Sequence, residues 1–437
     1  MNYKQLPNGI SDFAQLRKGN FYYVDKTMYI NEMEDCPNFL FINRPKRFGK
    51  SVFTSMVREY YDTVASEHYE ELFKDTAIYR YNQEHKDEEG FRDRHGNYQV
   101  LYFDFSQVTG DSIEEIKRNF NDYCCEVLDQ FIDTHASVYS EYVVNHLHET
   151  TDASSKLNIV GIYDRSCEHH LYIIVDEHDS FLNKIVTSCG LKTSDEVMRN
   201  TRFYCNFLKI FKPIASRYLI MTTTPCKLND LTSGLNNFTI VSDWPSFNMA
   251  FGFSEDEVRQ MISYYQKAGL ITGDADEIVD EMQSWYGNYY FSDMSYQVDP
   301  KMLNSYHVLY YLQSLIDTGK APSEMVDPKT ATDYDTIRGL LKLDNEKKAH
   351  WKEVKNLLKD KSMHLQTEKT FEVEHMIRPI VFPSMLYYYG LLTKDSGRHS
   401  SNPFMLSIPN KATMQQFEQL MKEAAAATST NAAEEVK

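Results

Sequence analysis

The chain has 437 residues, 42% of them hydrophobic, and 46 basic against 63 acidic residues give a net charge of −17. That is long enough for two or three packed units with a sizeable core, and too acidic to coat nucleic acid or an anionic membrane through its general surface. With no basic-then-apolar leader, no apolar run near the ~18 residues of a membrane span, and seven cysteines without CxxC spacing, neither secretion, membrane insertion, a disulfide framework nor a zinc site is expected; the expected location is cytoplasmic.

Residues 1–37 are rich in aromatics and turn formers, with Pro7-Asn8-Gly9 as a turn and Phe21-Tyr22-Tyr23 as an apolar patch. They read as an arm packed on the core. Val24, Asp25 and Lys26 are either neighbours of a bound ligand or part of a purely structural leader.

The apolar run Phe39 to Ile42 leads into a polar loop ending in Gly49-Lys50-Ser51, and Val52 to Val57 can continue as a helix. Strand, loop and helix in that order are what a triphosphate needs: convergent backbone N–H donors, a helix N-terminus facing negative charge, a lysine for the β- and γ-phosphates and a hydroxyl for Mg²⁺. The pattern GxxxxGK[ST] has glycine where Arg44 stands. The candidate nucleotide-binding set is Arg44, Pro45, Lys46, Arg47, Phe48, Gly49, Lys50, Ser51 and Val52, whose basic members serve the nucleotide in preference to DNA. Taken alone, the same tripeptide also reads as a helix start with a surface lysine.

His85 to Asn97 is a charged loop, and Tyr98 to Phe105 follows as a strand. From Ser112 to about His148, apolar residues at helical spacing predict core packing, with a break at Thr150 to Ser155. The run Leu171 to Val175 is an apolar strand ending in Asp176-Glu177, the pattern in which the first acid holds Mg²⁺ and the second polarises water. His169 and His170 precede it, but neighbours on a strand face opposite ways and cannot share a metal. Ser194 to Phe211 reads as an amphipathic helix carrying Arg199, Arg202 and Lys209, which read as solvated surface residues, the alternative being that one of them faces a neighbouring subunit's phosphate as an arginine finger. Tyr218 to Thr223 is another apolar strand, with Thr222 or Thr223 as a sensor residue. With Phe238 to Val241 the sheet reaches about five strands. Three strands ending in chemistry agree with ligand binding at the carboxyl edge of an open α/β sheet.

Ser254-Glu-Asp-Glu257 is a capping box, after which helical patterns at Glu277–Trp285, Leu303–Asp317 and Glu346–Lys359 dominate. Their many tyrosines read as core. Pro403 to Ile408 can add a strand, and Ala424 to Lys437 is small, polar and acidic.

Leu6 to Phe13, Phe21 to Thr27, the loop Arg44 to Ser51, Val175-Asp-Glu-His-Asp179, Gly234 to Asn237, Gly252 to Val258, Trp285 to Phe291, Tyr389 to Thr393 and Ile408-Pro-Asn410 together resemble the AAA-ATPase-like family. Its members are often fused to a C-terminal PD-(D/E)XK nuclease domain. The resemblance runs nearly to Asn410, and family loops of the form RP[RK]RFGKS themselves lack the first glycine. This chain differs in having His178 for a usual tyrosine, Thr223-Thr224-Pro225 for a glycine-containing turn, and Gly287-Asn288 for an Asp-Gly pair.

The expected fold is α/β, a P-loop NTPase three-layer core with a central, mainly parallel sheet, followed by an α-helical lid. Its divisions would be an arm at 1–37, the ATPase core at 38–250, a lid at 251–410 and a disordered tail at 411–437. The expected function is ATP binding and hydrolysis by a switch or motor. Lys50 and Glu177 would be catalytic, Ser51 and Asp176 would hold Mg²⁺, and Thr223 would contact the nucleotide. A protein partner or homo-oligomer is implied, nucleic acid is not indicated by charge, and no membrane is. The alternative is a nucleotide-binding regulatory or scaffold module with little turnover. No nuclease activity is expected, because no spaced Asp…Glu-x-Lys set follows Pro409.

Overall fold

Short strands with apolar residues on both faces require cover on both sides, and the chain supplies it. The computed structural model describes residues 3–165, 167–189, 191, 193–227, 238–292, 300–343, 349–364, 368, 370–394 and 405–434. Its strands include β1 (Phe39–Asn43), β2 (Tyr98–Asp104), β3 (His170–Asp176), β4 (Arg217–Thr222), β5 (Cys226–Lys227) and β6 (Thr239–Ile240). All but β5 form one five-stranded, all-parallel sheet in the order β2-β3-β4-β1-β6.

Alternation along the strands separates two cores. Leu40, Ile42, Tyr172, Ile174, Leu219 and Met221 meet one, while Phe41, Ile173, Val175, Tyr218 and Ile220 meet the other. The first is covered by the arm, through Phe13, Ile30 and Met33, and by the helix Lys50–Tyr61 through Phe53, Met56 and Val57. The second is covered by Ile113–Thr134, Ala153–Asp164, Ser180–Ser188 and Ser194–Ile214. This is the expected three-layer α/β core.

Register brings the carboxyl ends of the strands level, with Asp104 opposite Asp176 and Asn43 opposite Thr222. Because β4 lies between β3 and β1, the turn leaving β4 sits between the loop after β1 and the acids after β3.

Local differences have local causes. The helical stretch from Ser112 is two helices, Ile113–Thr134 and Glu141–Glu149, because the chain turns at His135, which is buried and engages Asp62 at 2.9 Å. The segment read as a break instead starts a helix at Ala153, capped by Asp152 accepting from the N–H of Ser155. The capping box at Ser254 and Glu257 forms as expected and opens Glu255–Lys267.

Beyond residue 251 the helices divide between two cores. Glu255–Lys267, Ala275–Tyr286 and Ser305–Thr318 make their own, with Val258, Ile262, Met282, Val308 and Leu312 at its centre. The later segments join the second core of the main sheet through Ile337, Leu340, Leu357, Phe382 and Leu386, and Phe371–Glu372 pairs in parallel with β5. The expected disordered tail is a correction: Lys411–Glu434 is a helix, and Phe417 and Leu420 are buried in that same core. Its alanines are strong helix formers, and its first turns have an apolar face that local composition conceals. The landmark Gly234 to Asn237 lies outside the described residues. No helix among the described residues is long and apolar enough to cross a membrane.

Phe417→Ala should lower unfolding free energy by about 3–5 kcal/mol, the range for truncating a buried phenylalanine. Urea unfolding checks this; a change within about 0.5 kcal/mol, as for an exposed position, would return the segment to a loose tail.

Candidate functional site

After Asn43 the chain has to turn and start a helix at Lys50. Two residues take left-handed backbone to do so, Gly49 at φ 86° and Arg47 at φ 70°. Glycine does this freely, whereas arginine requires surrounding contacts to hold it. Arg47 Nε and an Nη donate to the two oxygens of Asp333 at 2.8 and 3.0 Å, and the guanidinium lies 4.6 Å from the Tyr306 ring centre. The Arg47 carbonyl accepts from Ser305 Oγ at 3.0 Å and from the N–H of Tyr306 at 3.3 Å. Phe48 is buried against Tyr289 and Phe291. Both anchors come from residues far along the chain.

Arg44 explains how the loop manages without its first glycine. Its side chain is 1% exposed and donates to the carbonyls of Asn43, Ser242 and Phe247 at 2.9, 2.7 and 2.8 Å. The guanidinium also faces the rings of Phe291 and Phe251, at 4.5 and 5.2 Å. Burial pushes its pKa down to about 10, which still leaves it charged at neutral pH. Arg44 therefore braces the loop from behind. Both it and Pro45 line a separate cavity of about 210 Å³.

A cavity of about 600 Å³ is lined by Lys46, Arg47, Phe48, Gly49, Lys50, Ser51, Val52 and Glu177, with Tyr22, Tyr23, Val24 and Lys26 of the arm and with Tyr306 and Asp333. Its size is ordinary for a small-ligand site. Asp25, for which a ligand neighbour and a structural leader residue are the two readings, is absent from this lining and accepts from the N–H groups of Thr27 and Ala77, in keeping with the structural one.

Lys50 is 4% exposed. Its ammonium donates to the carbonyls of Arg44 and Pro45 at 3.1 and 3.3 Å and to Thr223 Oγ1 at 3.2 Å, and lies 3.3 Å from Glu177 Oε1. Thr223 thus reaches the site through the lysine. Asp176, 1% exposed, accepts from Thr54 Oγ1 at 3.0 Å, Tyr102 OH at 3.2 Å and the N–H of Glu177 at 2.9 Å. Glu177 itself has φ 50°, an uncommon conformation for a residue with a side chain. Burial and the neighbouring Glu177 push the Asp176 carboxyl up to about 7 from 3.8, with Asp104 adding to the rise, against the opposing pull of Lys50 and the Thr54 hydroxyl.

That imbalance, clustered acids around one buried lysine, suits an added divalent cation. Magnesium sites commonly use one or two carboxylates and leave other positions to phosphates and water; Ser51, which lines the cavity, and Asp176, which is not among its lining residues, are donors of that type. Thr54 and Tyr102, which orient Asp176, escape the sequence reading. Thr54 stands one helical turn after Lys50, a spacing that carries a signal. Asp333 has no local signal.

A family model described as AAA-ATPase-like, a predicted AAA-ATPase, matches residues 7–232, just over half of the chain. An uncharacterized protein in the vnfD 5′ region of Azotobacter chroococcum mcd 1 is 43% identical over 60 residues, a segment covering 14% of this chain and 12% of that protein.

The raised Asp176 pKa has a defined sign. The folded protein keeps a proton that the unfolded chain releases between pH 4 and 7, so this contribution to stability is complete below pH 4 and is lost as pH rises through about 7. In nucleotide-free protein, Asp176→Asn should gain stability relative to the parent as pH goes from 5 to 8. Parallel unfolding curves across that range would contradict the assignment.

Proposed function

The chain belongs to the AAA-ATPase-like family, and on that premise we propose that it binds and hydrolyses ATP in the 600 Å³ cavity. The observation carrying this reading is the convergence of Lys50, Thr223 and Glu177 at the carboxyl edge of the sheet, with Ser51 on the cavity wall. Lys50 contacts the β- and γ-phosphates, and the backbone N–H groups at the start of Lys50–Tyr61 face the same charge. Ser51 and Asp176 hold Mg²⁺, which when bound neutralises charge on the phosphate oxygens. Glu177 accepts the proton of the attacking water. The arm residues Val24 and Lys26 also line the cavity. Hydrolysis would act as a switch or motor on a protein partner or a second copy of this chain, through the contacts by which Ser305, Tyr306 and Asp333 hold Arg47.

A second reading, a nucleotide-binding regulatory module with little turnover, draws on the 3.3 Å pair between Lys50 and Glu177, since a carboxylate engaged by the lysine is held away from an attacking water. Turnover measured against bound nucleotide separates the two.

Lys50→Ala should weaken ATP binding by about 10- to 150-fold, the equivalent of roughly 1.5–3 kcal/mol for a lost charge-assisted contact. Equal affinity in mutant and parent, by titration calorimetry, would sink the phosphate-loop assignment.

Glu177→Gln should retain ATP and Mg²⁺ while turnover falls by about 10²- to 10⁴-fold, whereas Asp176→Ala should also impair Mg²⁺-dependent binding. Parental turnover in Glu177→Gln would favour the regulatory reading or another base.

A further inference from the structure

Three residues beyond Asp176 lies an acid that the reaction outlined above does not use. Asp179 is 1% exposed and does not line the cavity. It is the N-cap of Ser180–Ser188, where an aspartate ordinarily accepts from its own helix, yet its side chain makes no capping bond. Its oxygens accept instead from Thr222 Oγ1 at 2.6 Å, the N–H of Thr223 at 3.3 Å, and the N–H and Oγ1 of Thr224 at 3.0 and 2.6 Å. All of those donors belong to the end of β4 and the turn that follows. The same turn presents Thr223 Oγ1 to Lys50 Nζ at 3.2 Å. On its other side Asp179 accepts from Asn183 Nδ2 at 3.3 Å, and Asn183 also donates to Tyr389 OH at 3.0 Å.

A buried carboxylate is tolerated only where its lone pairs are used. Here burial favours the neutral acid, but the Thr222 and Thr224 hydrogen bonds, with His178 and Lys50 nearby, hold the carboxyl below its ordinary range. Without the carboxylate, two backbone N–H groups and the Thr224 hydroxyl would lose this acceptor, and the Thr222 hydroxyl would keep only the Thr224 carbonyl at 3.2 Å. Thr223 could then leave Lys50.

We propose that Asp179 is a positioning residue: it fixes the Thr222–Thr224 turn so that the Thr223 hydroxyl holds the Lys50 ammonium in line with the triphosphate. The inference rests on the ATP reading and adds a residue that acts on the nucleotide only through the lysine.

The test is a double-mutant cycle on ATP affinity, measured by titration calorimetry in protein shown by circular dichroism to be folded. Asp179→Asn keeps the volume and removes the charge, and near-isosteric Thr224→Val supplies the same readout if Asp179→Asn fails to fold. Each is expected to lose about tenfold in ATP affinity, as for a disturbed hydrogen bond to a charged group, while Thr224→Ser, which keeps the hydroxyl, restores it. In the Lys50→Ala background the same changes are expected to have no further effect on affinity. Parental affinity in both folded single variants, or losses that add to that of Lys50→Ala, would overturn the proposal. Failure of the ATP reading is separate: the parent itself would then not bind ATP, or Lys50→Ala would bind as the parent does.

Discussion

A nearly buried ammonium sets the terms for the carboxyl edge of this sheet. Lys50 is surrounded by two loop carbonyls, a threonine hydroxyl and a glutamate carboxylate, and these come from the segments following β1, β4 and β3. Leaving such a charge unpaired in the protein interior is strongly unfavourable. The three segments must therefore hold their positions together, and the flush strand register is what allows it. Arg44 completes the arrangement from behind. By donating to carbonyls of Asn43, Ser242 and Phe247 it ties the loop to the segment after β6. A glycine in its place would free the backbone; the arginine instead makes the loop rigid.

The acids show why proximity alone does not assign roles. Asp176 and Asp179 are both buried, and burial favours the neutral form of each. Asp176 is adjacent to Glu177, close to Asp104, and its carboxyl is raised. Asp179 receives hydrogen bonds from the threonine turn and is lowered. One is thus suited to gaining a cation and the other to remaining a permanent anion that holds backbone.

Much of this is legible in the amino-acid order because it is local. Apolar runs ending at Asn43, Asp176 and Thr222 carry their meaning within a few residues, as does the capping box at Ser254. What escapes is long-range. Nothing near Arg44 says that carbonyls some 200 positions later will take its guanidinium, so it reads as a phosphate ligand. Nothing near Phe417 tells that its ring faces the same core as Ile173, so an Ala-rich segment reads as a tail. Asp333 meets Arg47 across 286 positions. In each case a tertiary contact overrides a correct local pattern.

The burial of Leu386, Phe417 and Leu420 in the same core as Ile173 and Val175 also has a consequence for biosynthesis. The segment matched by the family model ends at residue 232, but the core on one side of its sheet also includes residues near 420. At ribosomal rates of about 5–20 residues per second, roughly ten to forty seconds of elongation separate those two points. Throughout that interval the nascent chain carries an incomplete core with apolar side chains still exposed, the kind of surface that chaperones recognise. Translation speed and chaperone supply would then bear on the yield of folded protein, alongside final stability.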